Sequence, residues 1–241
     1  MVSSQSSMDS YLGRFENAIT LLQNDPDYLP TRADIQKAAL LTFVTQLRQS
    51  SNTVSLLASN LNTLRAKRHD MAFKQVSNTP ESSIEAIISN VLNYVGAENG
   101  QNHSVYKSIK AYIGKMRPKA KTTNEDGSKS PSRSEKTFTA LEGYFEHVVH
   151  LISNSTGLIY NPSNTALQII KLTALANDFS QLNRDIATAE RDETTARADR
   201  RALFIGDRGA KNLAKDIKMY LSSYSGGKQN PKYIQFITAL S

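Results

Sequence analysis

The 241-residue sequence contains no cysteine and no tryptophan. Without cysteine the chain can form no disulfide bond and can offer no thiolate to a zinc ion or an iron–sulfur cluster. Aromatic residues make up only 7% of the chain, so a ligand pocket walled by rings is not favoured. We therefore expect no cofactor and no small-molecule substrate.

Long apolar runs are also missing. No stretch of 18 consecutive apolar residues occurs, which predicts that no helix spans a membrane. The serine-rich residues 1–10 lack the apolar segment of a secretory signal peptide. We expect a cytoplasmic protein by default, although the absence of cysteine is also compatible with release from the cell as part of an assembly.

Two stretches lack both proline and glycine, namely residues 33–73 and 164–204. Each holds 41 residues, and as one α-helix each would extend about 60 Å. Apolar residues recur in both at heptad spacing, which predicts one apolar stripe on each helix. In the first stretch these residues are Leu40, Phe43, Leu47, Val54, Leu57, Leu61, Leu64 and Met71. In the second they are Leu172, Leu175, Phe179, Leu182, Ile186, Ala189, Ala196 and Leu203.

The two stretches belong to an internal duplication. Tyr28-x-Pro30 precedes the first and Tyr160-x-Pro162 precedes the second, and shorter helical patterns flank both. We predict an all-α fold of two tandem elongated helical-bundle repeats, each built on one long helix of about 40 residues with shorter helices packed on it. The predicted division is residues 1–118, a Lys/Ser/Pro-rich linker over 119–135, and residues 136–241.

The closing helices of the two repeats carry a tyrosine–lysine pair, Tyr106-Lys107 and Lys232-Tyr233. Together with the Phe-containing first helix, the Tyr-x-Pro turn and the long Ala/Thr/Asn-rich helix, this order resembles a group of uncharacterised bacterial all-helical proteins with an internal duplication. The resemblance covers nearly the whole chain. It implies the fold but brings no activity and no site residue with it.

The net charge is +7, and one basic run is free of acidic residues. Its members are Lys107, Lys110, Lys115, Arg117, Lys119 and Lys121. Such a run can contact nucleic acid or another anionic surface. The alternative is a solvated helix end that leads into a linker, where cations favour the helix C-terminus. We favour the second interpretation.

One cluster has the residue types of a metal site. Glu142, Glu146 and His150 follow i, i+4, i+8 spacing beside His147, and carboxylate with imidazole can bind zinc or iron. A di-iron bundle needs Glu-x-x-His on two helices with two further glutamates, and the first repeat has no matching histidines. We interpret the cluster as the polar face of an amphipathic helix and expect neither a metal site nor a catalytic residue.

The second long stretch becomes densely charged toward its end, and residues 206–209 predict the break after it. The charged residues that we consider for an assembly surface are Arg184, Arg191, Glu193, Arg197 and Arg200. Arg200 and Arg68 share one heptad phase. Either this end of the seam is solvated, or these arginines pair with acids on another helix or on another chain. We favour the solvated or partner-facing alternative.

These observations favour a non-enzymatic structural or interaction protein that self-assembles into an oligomer, a lattice or a filament through its helical bundles. The alternative is a protein that binds nucleic acid or an anionic surface through the basic run at 107–121. A bundle metalloenzyme using Glu142, Glu146 and His150 is the least favoured hypothesis.

Overall fold

A computed structural model describes residues 4–73, 83–116 and 137–241, and these residues form helices and turns without any β-strand. The predicted linker at 119–135 lies outside them. The α-helices are α1 (Ser4–Gln23), α2 (Lys37–Phe73), α3 (Ile84–Asn99), α4 (Ser104–Met116), α5 (Phe138–Asn154), α6 (Ile169–Ile205), α7 (Ala210–Ser222) and α8 (Pro231–Leu240). The all-α prediction is therefore confirmed for the described residues.

The long helices start later than the sequence predicts. Short 3-10 turns, Ala33–Ile35 and Thr165–Leu167, come first, and α2 and α6 then run for 37 residues each. Gln36 adopts an extended conformation between the turn and α2. The Tyr28 hydroxyl donates a 2.8 Å hydrogen bond to the carbonyl of Ile35. That carbonyl is consequently engaged by a side chain where the helix would otherwise have continued.

Helix α2 passes through its polar middle, residues 50–53, without a break. The Thr53 hydroxyl donates to the carbonyl of Gln49 at 3.0 Å, and the Ser55 hydroxyl donates to that of Ser51 at 3.1 Å. Side chains that bond back one turn in this way are accommodated within a helix. Every predicted seam residue of both long helices is buried or half-buried, as expected for an apolar stripe that faces a core.

The chain forms two compact units. The terminal unit contains residues 1–60 and 189–241, and the central unit contains residues 61–188. Helix α1 packs on α8 in the terminal unit, where α8 also packs on α7. The core of this unit consists mainly of buried aromatic and aliphatic side chains. Its largest fully buried members are Phe15, Tyr28, Phe204, Phe236, Ile19, Leu40 and Leu47.

The central unit is built in the same manner around its own core. Helix α3 packs on α4 and α5, and α4 packs on α5. Its fully buried side chains include Phe145, Phe179, Ile84, Ile88 and Ile109. Both units thus combine helices from the first and the second half of the chain.

Candidate interaction surfaces

An open groove lies in the terminal unit between the first turns of α2 and the last turns of α6. Its volume is about 840 Å³. The groove is lined by Asp34, Ala39, Thr42, Phe43, Gln46, Asp199, Ala202, Leu203, Gly206, Asp207, Arg208, Gly209 and Leu213. Half-buried Phe43 and Leu203 are among its apolar lining residues. A groove with this lining is suited to contact with another apolar surface.

Carboxylates stand at the rim of the groove. Asp34 is held by the Arg32 guanidinium at 2.7 Å, and this hydrogen bond keeps the pKa of the Asp34 carboxyl below its usual value. Asp199 and Asp207 are exposed, and neither forms an ion pair with any other described residue. Arg208 is the one cationic residue of the lining. The rim therefore has an acidic balance.

The turn after α6 holds Asp207 in place. The Asn212 side-chain amide donates to the carbonyl of Gly206 at 3.0 Å and to that of Asp207 at 3.3 Å. A Cβ atom at Gly206 would lie 2.5 Å from the Ala202 carbonyl oxygen, so only glycine fits this close approach. The helix ends at Ile205, which confirms the predicted break at residues 206–209.

A basic surface lies on α4 in the central unit. Lys107, Lys110 and Lys115 are exposed, and α4 contains no acidic residue. The Lys110 ammonium lies 5.7 Å from the centre of the Tyr106 ring, and the Lys115 ammonium lies 5.9 Å from that of Tyr144. We call these lysines and tyrosines the α4 basic surface. The other predicted contact residues, Arg117, Lys119 and Lys121, lie outside the described residues.

Beside this surface, an aromatic ring of α4 packs against rings of α5. The Tyr112 and Tyr144 rings are stacked, with centroids 5.4 Å apart and an interplanar angle of 23°. The His147 ring meets the edge of Tyr112 at 5.9 Å. Stacked and edge-on ring pairs add to the energy of burial. The pairs therefore help to hold α4 against α5 while its lysines stay exposed.

The charged residues predicted for an assembly surface do not share one environment. Arg184, Arg191 and Arg197 are exposed on α6. Arg184 bonds within its own helix, to Gln181 and Ser180, and Arg197 pairs with Glu193 one turn earlier. Pairs of this type within one helix contribute only a few tenths of a kcal/mol.

Arg200 was predicted to belong to this exposed set, but the structure corrects that prediction, because only 2% of the residue is exposed. Its Nη1 atom lies 3.5 Å from an Asp9 carboxylate oxygen on α1, and its Nε and Nη1 atoms lack hydrogen-bond partners. Arg200 therefore pairs with an acid on another helix and contributes nothing to an exposed surface in this fold.

Arg68 holds the matching position in the central unit, where its surroundings differ. Its guanidinium carbon lies 3.9 Å from the centre of the Phe138 ring, and its Nη1 atom donates to the Asn183 side chain at 3.4 Å. Asn183 in turn donates to Glu142 at 2.6 Å. Both arginines thus lie against other helices of their own units.

The predicted metal candidate is dispersed. Glu142 accepts a hydrogen bond from Asn183, His147 contacts Tyr112, and Glu146 and His150 are exposed. Within the described ranges, no group of three potential metal ligands is close enough to hold an ion.

Among the described residues, no helix combines the length and apolar character needed to cross a membrane.

One charged cluster was not predicted. The Lys232 ammonium on α8 pairs with Asp25 and with Asp27 in the turn after α1, and the hydrogen bond to Asp25 is the larger cause of its raised pKa. The Lys37 ammonium donates to the Asp25 carbonyl at 2.6 Å. A local sequence pattern could not predict this cluster, because Asp25 and Lys232 lie near opposite ends of the sequence.

Comparisons with protein-family models, with curated proteins and with solved structures gave no match for the chain. The geometry of its surfaces is consequently the basis for assigning a function.

Proposed function

We propose that the protein is a non-enzymatic structural or interaction protein that self-assembles through its helical surfaces. The observation that carries this proposal is the open groove of about 840 Å³ in the terminal unit. Its half-buried Phe43 and Leu203 leave apolar surface in contact with solvent, and covering such surface with another protein is favourable by about 25 cal/mol for each Å².

The internal duplication supports an architectural role. We propose that the two sequence repeats have exchanged helices, so that α1 of the first repeat packs on α8 of the second, and α4 of the first packs on α5 of the second. Tyr28 and Tyr160 make the same hydrogen bond, of 2.8 Å, to Ile35 and Leu167. A fold assembled from like elements suits a protein whose surfaces, rather than a single pocket, carry the function.

The proposal is tested by the mass of the full-length protein in solution. Size-exclusion chromatography with light scattering across a concentration series is expected to give a mass that rises with concentration. Negative-stain microscopy of the most concentrated sample should reveal oligomers, sheets or filaments. A constant monomer mass at every concentration would contradict self-assembly.

The second candidate function is binding of nucleic acid or an anionic surface by the α4 basic surface. The observation that favours it is the placement of exposed Lys110 and Lys115 beside the Tyr106 and Tyr144 rings, because lysines contact phosphates and aromatic rings stack on bases. Binding of a single-stranded oligonucleotide that weakens with salt, and that is lost in Lys110→Glu/Lys115→Glu, would support it. Unchanged binding in this variant would exclude the surface.

A further inference from the structure

We propose that the groove of the terminal unit receives the α4 basic surface of a second copy of this chain. This inference rests on the proposed self-assembly and names the two surfaces that meet. We deduce the occupant from charge and shape. The groove combines exposed carboxylates with half-buried apolar residues. The exposed face of α4 has lysines around two small residues.

The charges of the two surfaces are complementary. Asp199 and Asp207 are exposed at the groove and without an ion partner among the described residues. Lys107, Lys110 and Lys115 are exposed on a helix without acids. Opposite potentials across an interface steer association and set its register. Two grooves, or two α4 surfaces, would bring charges of the same sign together, so these pairings are disfavoured.

The shapes are compatible as well. The middle of the exposed α4 face is formed by Ala111 and Gly114, and a Cβ atom added at Gly114 would meet nothing within 4 Å. Small residues allow α4 to approach the apolar floor closely. The aliphatic stems of the lysines can cover Phe43 and Leu203 while their ammonium groups reach the carboxylates.

Because the two surfaces are different patches of one chain, their contact is heterologous. Each copy then has one groove and one α4 surface to offer, so successive contacts generate a ring or an open filament. The contact is electrostatic at its rim, and salt should weaken it because the Debye length is only about 8 Å at 0.15 M.

The experiment uses two charge-reversal variants of the full chain, Lys107→Glu/Lys110→Glu and Asp199→Lys/Asp207→Lys. Sedimentation velocity compares them with the wild type, separately and as an equimolar mixture. The control variant, Lys67→Glu/Lys171→Glu, makes the same change in net charge as Lys107→Glu/Lys110→Glu, at exposed lysines of α2 and α6. Circular dichroism checks that each variant folds. If a reversal variant does not fold, Lys107→Gln/Lys110→Gln and Asp199→Asn/Asp207→Asn replace the pair for the single-variant measurements.

Each reversal variant alone is expected to associate more than about tenfold more weakly than the wild type, because like charges then face each other. The mixture is expected to regain association, whereas the control variant should assemble normally. If the wild type assembles and either reversal variant assembles equally well, the inference is overturned but self-assembly stands. The same conclusion follows if both reversal variants are defective and their mixture does not regain association. A monomeric wild type overturns both. Loss of oligonucleotide binding without any change in sedimentation assigns the lysines to nucleic acid and also overturns the inference.

Discussion

The Tyr28 hydroxyl donates a 2.8 Å hydrogen bond to the backbone carbonyl of Ile35, and the Tyr160 hydroxyl donates one of the same length to the carbonyl of Leu167. In each half of the chain the tyrosine comes from the Tyr-x-Pro turn and the carbonyl from the 3-10 turn before the long helix. Each ring also meets a second tyrosine edge-on, Tyr220 at 5.3 Å and Tyr94 at 5.2 Å. The hydrogen bond and the ring contact of each tyrosine together fix the path of the chain into the long helix that follows.

Replacing either tyrosine by phenylalanine removes this hydrogen bond but keeps the ring. We expect Tyr28→Phe and Tyr160→Phe each to lower the free energy of unfolding by about 1–3 kcal/mol, since a carbonyl is left without its partner. Tyr233→Phe is the control, because no hydrogen bond of that hydroxyl is seen among the described residues, and it should change stability by less than about 0.5 kcal/mol. Urea unfolding measures all three, and equal effects would contradict the assigned role.

Alkaline pH should act on the same tyrosines. Burial raises the pKa of Tyr28 and of Tyr160, and it raises the pKa of Tyr224 to about 12. Because the folded protein holds these protons more tightly than the unfolded chain, their contribution is complete below pH of about 10, the ordinary tyrosine value. It is lost as pH rises above that value. Urea unfolding between about pH 9 and pH 12 should therefore give a falling stability.

The double variant Tyr28→Phe/Tyr160→Phe should show a shallower fall over that range. Some decline remains, because the raised pKa of Lys232, which is bound to Asp25 and Asp27, implies a loss in the same direction. Phenolate absorbance during an alkaline titration gives a second measurement. An unchanged slope in the double variant would show that these two tyrosines do not govern the alkaline transition.

Arg200 and Arg68 should respond differently to the same substitution. Buried Arg200 has two nitrogen atoms without hydrogen-bond partners, and its partner Asp9 is exposed and stays hydrated when the arginine is removed. Arg200→Met should therefore change the free energy of unfolding by less than about 1 kcal/mol. Arg68→Met loses the contacts to Asn183 and Phe138 and should cost about 1–3 kcal/mol. Thermal unfolding of both variants makes the comparison, and a larger loss at Arg200 would contradict it.

Two leucines on α2 allow a buried and an exposed position of the same helix to be compared. Leu47 is fully buried, whereas 72% of Leu56 is exposed. Leu47→Ala should destabilise the fold by about 2–5 kcal/mol through lost contacts and the cavity left behind. Leu56→Ala should change stability by less than about 0.5 kcal/mol. Chemical unfolding that gave similar losses for the two variants would show that α2 packs differently.

Heptad spacing and the absence of proline and glycine were enough to predict α2 and α6, since a helix depends on local backbone preference and on one apolar stripe. The seam residues are accordingly buried or half-buried. The starts of these helices were predicted a few residues too early. The reason is the bond from Tyr28 to Ile35, whose geometry the spacing of the two residues does not reveal.

The sequence by itself determined the helical class, the long helices and the glycine turn at 206–209, because each follows from residues that are close along the chain. Only the tertiary structure decided which helices share a core, that Arg200 is buried against Asp9, and that Asp199 and Phe43 border one groove. These features join residues that are distant in sequence, and a periodic pattern records which side of a helix is apolar but not which helix covers it.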